Sequence, residues 1–109
     1  MLSVSGFSEL LAARLAERQE SISAFARAVD CAHSFISHIL RDERRPPLED
    51  LPLWAKHLGI AQTSADFQRF CDLAAIAHLP KAIQPRFEAM LARLASLEAL
   101  AQDLDRRTR

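Results

Sequence analysis

Apolar positions between Ser21 and Gly59 recur with the spacing of two short helices. In the first series, four apolar residues fall at i, i+3, i+4 and i+7: Ile22, Phe25, Ala26 and Val29. Residues 30–32 interrupt this pattern, and a second apolar series then follows at Ile36, Ile39 and Leu40. The pattern predicts helices over residues 22–29 and 33–41, joined by a tight turn.

The opposite face of the second predicted helix is polar. It carries four side chains at i, i+3, i+4 and i+7, with a histidine at its N-terminal end: Ser34, Ser37, His38 and Arg41, preceded by His33. These side chains are short or planar, and most of them both donate and accept hydrogen bonds. A helix with an apolar inner face and such an outer face suits the major groove of DNA, while its partner helix holds it there.

Helices are also predicted on both sides of this pair. The first runs from Phe7 to Arg18, with Ser8 as its cap. Residues 42–47 form a loop, after which a fourth helix begins. Asp50 caps this helix, Pro52 is tolerated in its first turn, and Gly59 ends it.

Two further helices are predicted in the rest of the chain. Thr63 or Ser64 caps the fifth, and Pro80 ends it. Pro85 suits the first turn of a long sixth helix over residues 86–107. The apolar residues of this helix form a heptad stripe, widened by Leu91 and Leu100: Phe87, Leu94 and Ala101 at one position, and Met90, Leu97 and Leu104 at the other.

Three heptads of this spacing are typical of a helix that packs on a partner helix. Because a DNA-binding module of four helices does not need this tail for its core, we expect the tail to form a dimer interface. The residues of that interface are Phe87, Met90, Leu91, Leu94, Leu97 and Leu104. The alternative is that the tail folds back onto its own domain. The predicted division is a DNA-binding domain at residues 1–60 and a C-terminal helical dimerisation region at residues 61–109.

A series of positions from Ser21 to Ile60 fits one known helix-turn-helix pattern without a gap. It begins with Ser21 and the Phe25-Ala26 pair, and it continues through Val29, Cys31, Ser34, Ile36, Ser37, Ile39, Arg41, Arg44, Pro46, Leu48, Leu51, Ala55, Lys56, Leu58 and Gly59. In these residues the chain resembles the Cro and lambda-repressor (XRE) family. The resemblance implies an all-α fold with a lambda-repressor-like helix-turn-helix bundle of four helices. It ends at about residue 60, and the heptad stripe adds C-terminal helices for dimerisation.

The chain departs from the family pattern at a few positions. Asp30 and Asp42 stand where the family usually has glycine, at turns that need a left-handed backbone. Aspartate reaches that conformation more readily than most other residues with a side chain. Ile22 replaces a glutamine that in the family often binds a phosphate at the start of the second helix.

The resemblance implies that the third helix reads bases of double-stranded DNA. The implied base contacts are His33, Ser34, Phe35, Ser37 and His38, and the implied phosphate contacts are Arg27, Arg41, Arg44 and Arg45. The alternative is an ordinary solvated face, with Asp42 and Glu43 neutralising the basic loop. Phe35 either contacts a thymine methyl group or a sugar, or packs against the second helix. Arg27 faces either phosphate or solvent.

Composition supports the all-α class and limits the electrostatics. Half of the 109 residues are hydrophobic, only two are glycine, and the net charge is zero. Zero charge argues mildly against nucleic acid, although the segment from Ser21 to Arg45 has a net charge of +1. We therefore expect weak binding to nonspecific DNA and a dependence on dimerisation.

Other classes of protein are not indicated by the sequence. It contains no apolar run long enough to span a membrane and no signal peptide, so we expect a cytoplasmic protein with Cys31 and Cys71 reduced. The histidines and cysteines lack the spacing of metal ligands, so no metal or cofactor is predicted. No catalytic motif or glycine-rich loop indicates an enzyme.

The resemblance implies a dimeric transcriptional regulator that binds an inverted repeat, often at its own promoter. Such small repressors occur in phages and mobile elements, including those that control anti-CRISPR operons. The main alternative is an antitoxin-type module whose C-terminal helix binds a partner protein. A third interpretation is an adaptor that has lost DNA binding, suggested by the zero net charge and by Ile22.

Overall fold

Helices account for the regular structure of residues 6–107, the part of the chain that the computed structural model describes. This range contains six α-helices, one turn of 3-10 helix and no strand. The elements are α1 (Gly6–Glu17), α2 (Ile22–Ala28), α3 (His33–Leu40), the 3-10 turn (Leu48–Asp50), α4 (Leu51–Leu58), α5 (Ala65–Ile76) and α6 (Gln84–Arg107). The prediction of an all-α protein is confirmed.

The apolar faces of α1 to α5 meet in one hydrophobic core. Trp54 of α4 is fully buried and meets the ring of Phe25 edge-on, with 5.3 Å between the ring centroids. Phe7 of α1 packs on Phe70 of α5, with centroids 5.2 Å apart. The core therefore continues from the first four helices into α5, across residue 60, and the predicted domain division at that residue stays a prediction.

A residue with a left-handed backbone follows each of the first four helices within two positions. These residues are Gln19 (φ 53°), Asp30 (φ 57°), Asp42 (φ 61°) and Gly59 (φ 77°). In each case the next N–H group donates to the carbonyl five residues earlier, as in a Schellman motif: Glu20 to Leu15, Cys31 to Ala26, Glu43 to His38 and Ile60 to Ala55. The left-handed conformation expected at Asp30, Asp42 and Gly59 is confirmed.

Side-chain caps fix the beginnings of α2 and α5. The Ser21 hydroxyl accepts a hydrogen bond from the N–H of Ala24 at 3.0 Å. Ser64, rather than Thr63, caps α5. Asp50 precedes α4 as expected, but its side chain makes no capping hydrogen bond.

The expectation that Ser8 caps the first helix is wrong. The helix already begins at Gly6, and Ser8 lies inside it, 2% exposed. Its hydroxyl donates to the carbonyl oxygen of Ile39 at 2.6 Å, which ties α1 to the end of α3. This buried hydroxyl therefore links two helices instead of capping one.

The body of the protein holds only the first part of α6. The Glu88 carboxylate accepts from the N–H of Gly6 at 3.4 Å, and the Gln84 amide donates to the carbonyl oxygen of Leu79 at 2.8 Å. From residue 92 to residue 107 every side chain is exposed except Asp103, which is half-buried. Leu91 is half-buried and packs against the core, whereas the other large apolar side chains of the α6 stripe stay exposed. Within residues 6–107, no helix is long and apolar enough to cross a membrane.

Candidate nucleic-acid interface

Helix α3 is held by its apolar face and presents a polar face outward. Ile36 and Ile39 are 0% and 1% exposed, so they fix the inner side of the helix in the core. On the outer side His33 and Ser34 are exposed, whereas Ser37 and His38 are half-buried. The structure thus leaves polar groups of all four side chains at or near the surface, as base recognition requires, with the most open ones in the first turn.

Left-handed turns close the C-terminal ends of both α2 and α3. The left-handed Asp30 reverses the chain after α2, and the N–H of Cys31 donates to the carbonyl of Ala26 at 2.8 Å. The left-handed Asp42 ends α3 in the same way. These bonds satisfy carbonyl groups at the C-terminal ends of both helices.

Arg44 and Phe35 lie together. The guanidinium carbon of Arg44 is 5.2 Å from the centroid of the Phe35 ring, a cation–π distance. Phe35 itself is half-buried and packs against the core. The ring therefore supports an arginine of the following loop beside the first turns of α3.

The other predicted phosphate contacts are exposed. Arg41 pairs with Glu43 at 3.4 Å, and both side chains are more than half exposed, so this pair is weak and easily exchanged. Arg45 is exposed in the same loop, and Arg27 is exposed in the last turn of α2. All four arginines are thus accessible to a ligand.

The loop that follows α3, residues 41–47, is called the arginine loop here because it carries Arg41, Arg44 and Arg45. It is anchored by a lysine that the sequence did not indicate. The ammonium group of Lys81 donates to the backbone carbonyl of Asp42 at 2.7 Å and also to its carboxylate. The Asp42 side chain is 11% exposed and the Lys81 side chain 65% exposed. Lys81 thus neutralises one of the carboxylates of this region and adds a cation close to the end of α3.

A histidine anchors the other end of the same loop. His78 donates from Nε2 to the carbonyl oxygen of Pro46 at 2.7 Å, and Pro46 is buried. The loop from Arg41 to Pro47 is therefore attached at both ends to the segment that joins α5 to α6. No local sequence signal reveals these contacts, because the partners lie more than thirty residues apart.

The two cysteines are free and half-buried. Burial, together with the negative charges of Asp50 and Asp30, raises the pKa of the Cys31 thiol. Burial and Asp72 raise the pKa of the Cys71 thiol. Both thiols therefore stay protonated at neutral pH and are poor nucleophiles. Within residues 6–107, no three His, Cys, Asp or Glu side chains are grouped so that they could hold a metal ion.

Comparison with protein-family models found no matching family. Comparisons with curated proteins and with solved structures also found no match. The functional interpretation therefore depends on the residues of α2, α3 and the arginine loop, and on the open stripe of α6.

Proposed function

We propose that this protein is a dimeric DNA-binding transcriptional repressor of the Cro and lambda-repressor type. The observation that carries the proposal is the outer face of α3. There, exposed His33 and Ser34 stand over the buried Ile36 and Ile39, beside an arginine seated on Phe35. In this proposal α2 and α3 are the two helices of a helix-turn-helix, and α3 enters the major groove.

The local geometry supports the finer fold assignment. Ser21 caps α2 at the position where the family has its capping serine. Asp30 and Asp42 adopt the left-handed backbone that the family obtains from glycine. Each of these features sits at its expected place in an ungapped series, and together they favour a lambda-repressor-like arrangement of α1 to α4.

DNA binding divides into two tasks in this proposal. His33, Ser34 and His38 hydrogen-bond to base edges, while Phe35 and Ser37 complete the surface. Arg27, Arg41, Arg44 and Arg45 bind phosphates and set the position of α3 on the duplex. Lys81 and His78 keep the arginine loop in place, since they hold its backbone at Asp42 and Pro46.

Affinity and regulation require two copies. A single module of this kind reads about five base pairs, and a second half-site lies about 34 Å away along the duplex. The open stripe of α6 supplies an apolar surface for dimerisation. A two-fold dimer would bind an inverted repeat, and its occupancy of a promoter is sufficient to block polymerase.

The open stripe also supports one alternative function. An antitoxin-type module would use the same side chains of α6 to bind a different protein. The two functions differ in the state of the isolated chain, because the repressor is a stable homodimer and the antitoxin-type module a monomer.

The test of DNA binding compares the wild type with an Arg44→Ala, Arg45→Ala double variant on a labelled duplex of random sequence. Fluorescence anisotropy at low salt should show binding by the wild type and at least about tenfold weaker binding by the double variant. The salt slope should fall by up to about 1.8, since each lost phosphate contact removes about 0.9. Arg69→Ala, an exposed arginine of α5, is the matched control and should bind as the wild type does. Equal binding by all three proteins, or by none, would contradict the proposal.

A further inference from the structure

The apolar stripe of α6 is open along most of its length. Six of its side chains are between 41% and 61% exposed: Phe87, Met90, Leu94, Leu97, Leu100 and Leu104. At the end near the body, the stripe forms one wall of a groove of about 690 Å³, and Ile76 and Leu79 line the other wall. An exposed apolar surface of this extent, on a helix with heptad spacing, is typical of helix pairing.

Charged side chains flank the stripe, and the sign of the charge differs between its two edges. With Leu94 at heptad position a and Leu97 at position d, the charged residues of edge g are Arg86, Arg93 and Arg107, and those of edge e are Glu98 and Asp105. Arg93 and Glu98 are both exposed. Neither of these two forms an ion pair within residues 6–107, so both are available to a second chain.

This separation of charge distinguishes the two directions in which identical helices can pair. In a parallel pair, edge g of one helix lies beside edge e of the other; in an antiparallel pair, g lies beside g and e beside e. Parallel pairing therefore places basic residues against acidic ones. Antiparallel pairing places like charges together in any register.

We propose that α6 binds the same helix of a second copy of this chain in parallel, along the apolar stripe. Arg93 at position g then lies beside Glu98 of the partner subunit, five residues further on, and two-fold symmetry makes this ion pair twice. This inference rests on the dimer of the proposed function, and it adds the relative direction of the two α6 helices.

The direction of pairing determines where the two DNA-binding faces lie. Because the body holds α6 near its N-terminal end, through Glu88 and Leu91, parallel pairing places both bodies at the same end of the paired helices. Antiparallel pairing would place them at opposite ends of a helix of 24 residues, about 36 Å long. The parallel dimer thus places both bodies, each with its own α3, at one end of the helix pair.

Disulfide cross-linking of the full chain tests the direction. In a background with Cys31→Ala and Cys71→Ala, Leu104→Cys should form a covalent dimer on oxidation, because a parallel pair places the two thiols opposite each other at position d. In the fully overlapped antiparallel pair, the two thiols would be about 25 Å apart. There, the Leu104→Cys chain would instead cross-link to a Phe87→Cys chain. Gln102→Cys, outside the stripe, is the control and should stay uncross-linked.

A charge exchange tests the same inference without changing a cysteine. Arg93→Glu alone and Glu98→Arg alone each place like charges together twice, so each should raise the dissociation constant of the dimer about tenfold. Mixing the two variants restores opposite charges in the heterodimer and should return the constant close to that of the wild type. Sedimentation equilibrium measures all four samples.

The outcomes separate this inference from the proposed function. A dimer that cross-links only between Leu104→Cys and Phe87→Cys, or that mixing does not restore, overturns the parallel direction and leaves the dimer intact. A wild-type chain that sediments as a monomer at every concentration overturns both. In that case a different protein covers the stripe.

Discussion

His33 and His38 both lie on the outer face of α3, but His33 is exposed and His38 is half-buried. In the proposed function both read base edges, so replacing either by alanine should cost about 1–3 kcal/mol on the preferred site. The loss on random DNA should be small, because phosphate contacts dominate nonspecific binding. Anisotropy titrations with the preferred site and with a scrambled duplex measure both numbers. An equal loss of affinity on the two duplexes would contradict a role of these histidines in reading bases.

Ser8 shows how far a local signal can mislead at the scale of one residue. A serine near the beginning of a predicted helix is typical of a cap, whereas this serine faces inward and donates to the carbonyl of Ile39. That partner is 31 residues away, and no short pattern contains it. The same holds for Lys81, which looks like an ordinary surface lysine in the sequence.

Ser8→Ala should lower the free energy of unfolding by about 1 kcal/mol, the net value of a buried hydrogen bond. Ser23→Ala, in an exposed position of α2, is the matched control and should change it by less than about 0.5 kcal/mol. Urea unfolding followed by circular dichroism gives both values. If the two variants unfold at the same urea concentration, the hydrogen bond of Ser8 does not contribute to stability.

At the scale of elements, Glu20 connects the joint between α1 and α2 to α4. Its carboxylate accepts from Nε of Arg18 at 3.2 Å and from Nε2 of His57. Burial acts to raise the pKa of Glu20, but the hydrogen bonds and charges of His57 and Arg18 outweigh it and hold the pKa below its usual value of 4.5. The ionised form is therefore the one that the fold stabilises.

Because of this lowered pKa, the stability of the protein depends on pH. Because the carboxyl of Glu20 binds a proton more weakly in the folded state, its contribution to stability is fully present above about pH 4.5 and is lost as the pH falls through the lower folded pKa. Acidification should therefore destabilise the wild type more than Glu20→Gln, which has no proton to gain. Urea unfolding at pH 7 and at pH 3.5 measures the two differences, and equal differences would contradict the role of this carboxylate.

The elements themselves could largely be predicted from the sequence, and their packing could not. Helical periodicity locates all six helices, and capping chemistry locates the ends at Ser21 and Gly59. Both are local signals carried by a few neighbouring residues. The attachment of the arginine loop to Lys81 and His78 depends on how α5 packs against the other helices, and periodicity contains no information about that.

For the whole molecule, the central question is what covers α6. Leu97 is 61% exposed in the middle of the stripe, so Leu97→Glu should place two carboxylates in the proposed interface and dissociate the dimer. Gln102→Glu, on the far side of the same helix, should leave the dimer intact. Light scattering coupled to gel filtration measures the mass of each protein. A Leu97→Glu protein with the mass of the wild type would contradict an interface at this stripe.

At this scale the sequence predicts the apolar stripe of α6 but not the charge distribution around α3. The heptad of α6 predicts an apolar stripe, and the structure contains one. The zero net charge of the chain argues mildly against DNA binding. The surface around α3 nevertheless carries accessible positive charge, because Lys81 neutralises Asp42 and the arginines of the arginine loop stay exposed.

Selection of bound duplexes from a random library, read by sequencing, tests the proposed function most directly. The wild-type protein at low salt should enrich an inverted repeat whose half-sites are centred about one helical turn, about 34 Å, apart. The His38→Ala variant, selected in parallel, should lose its preference at matching positions in both half-sites. If the folded protein enriches no sequence, α3 does not read DNA, and a protein partner for α6 becomes the function to seek.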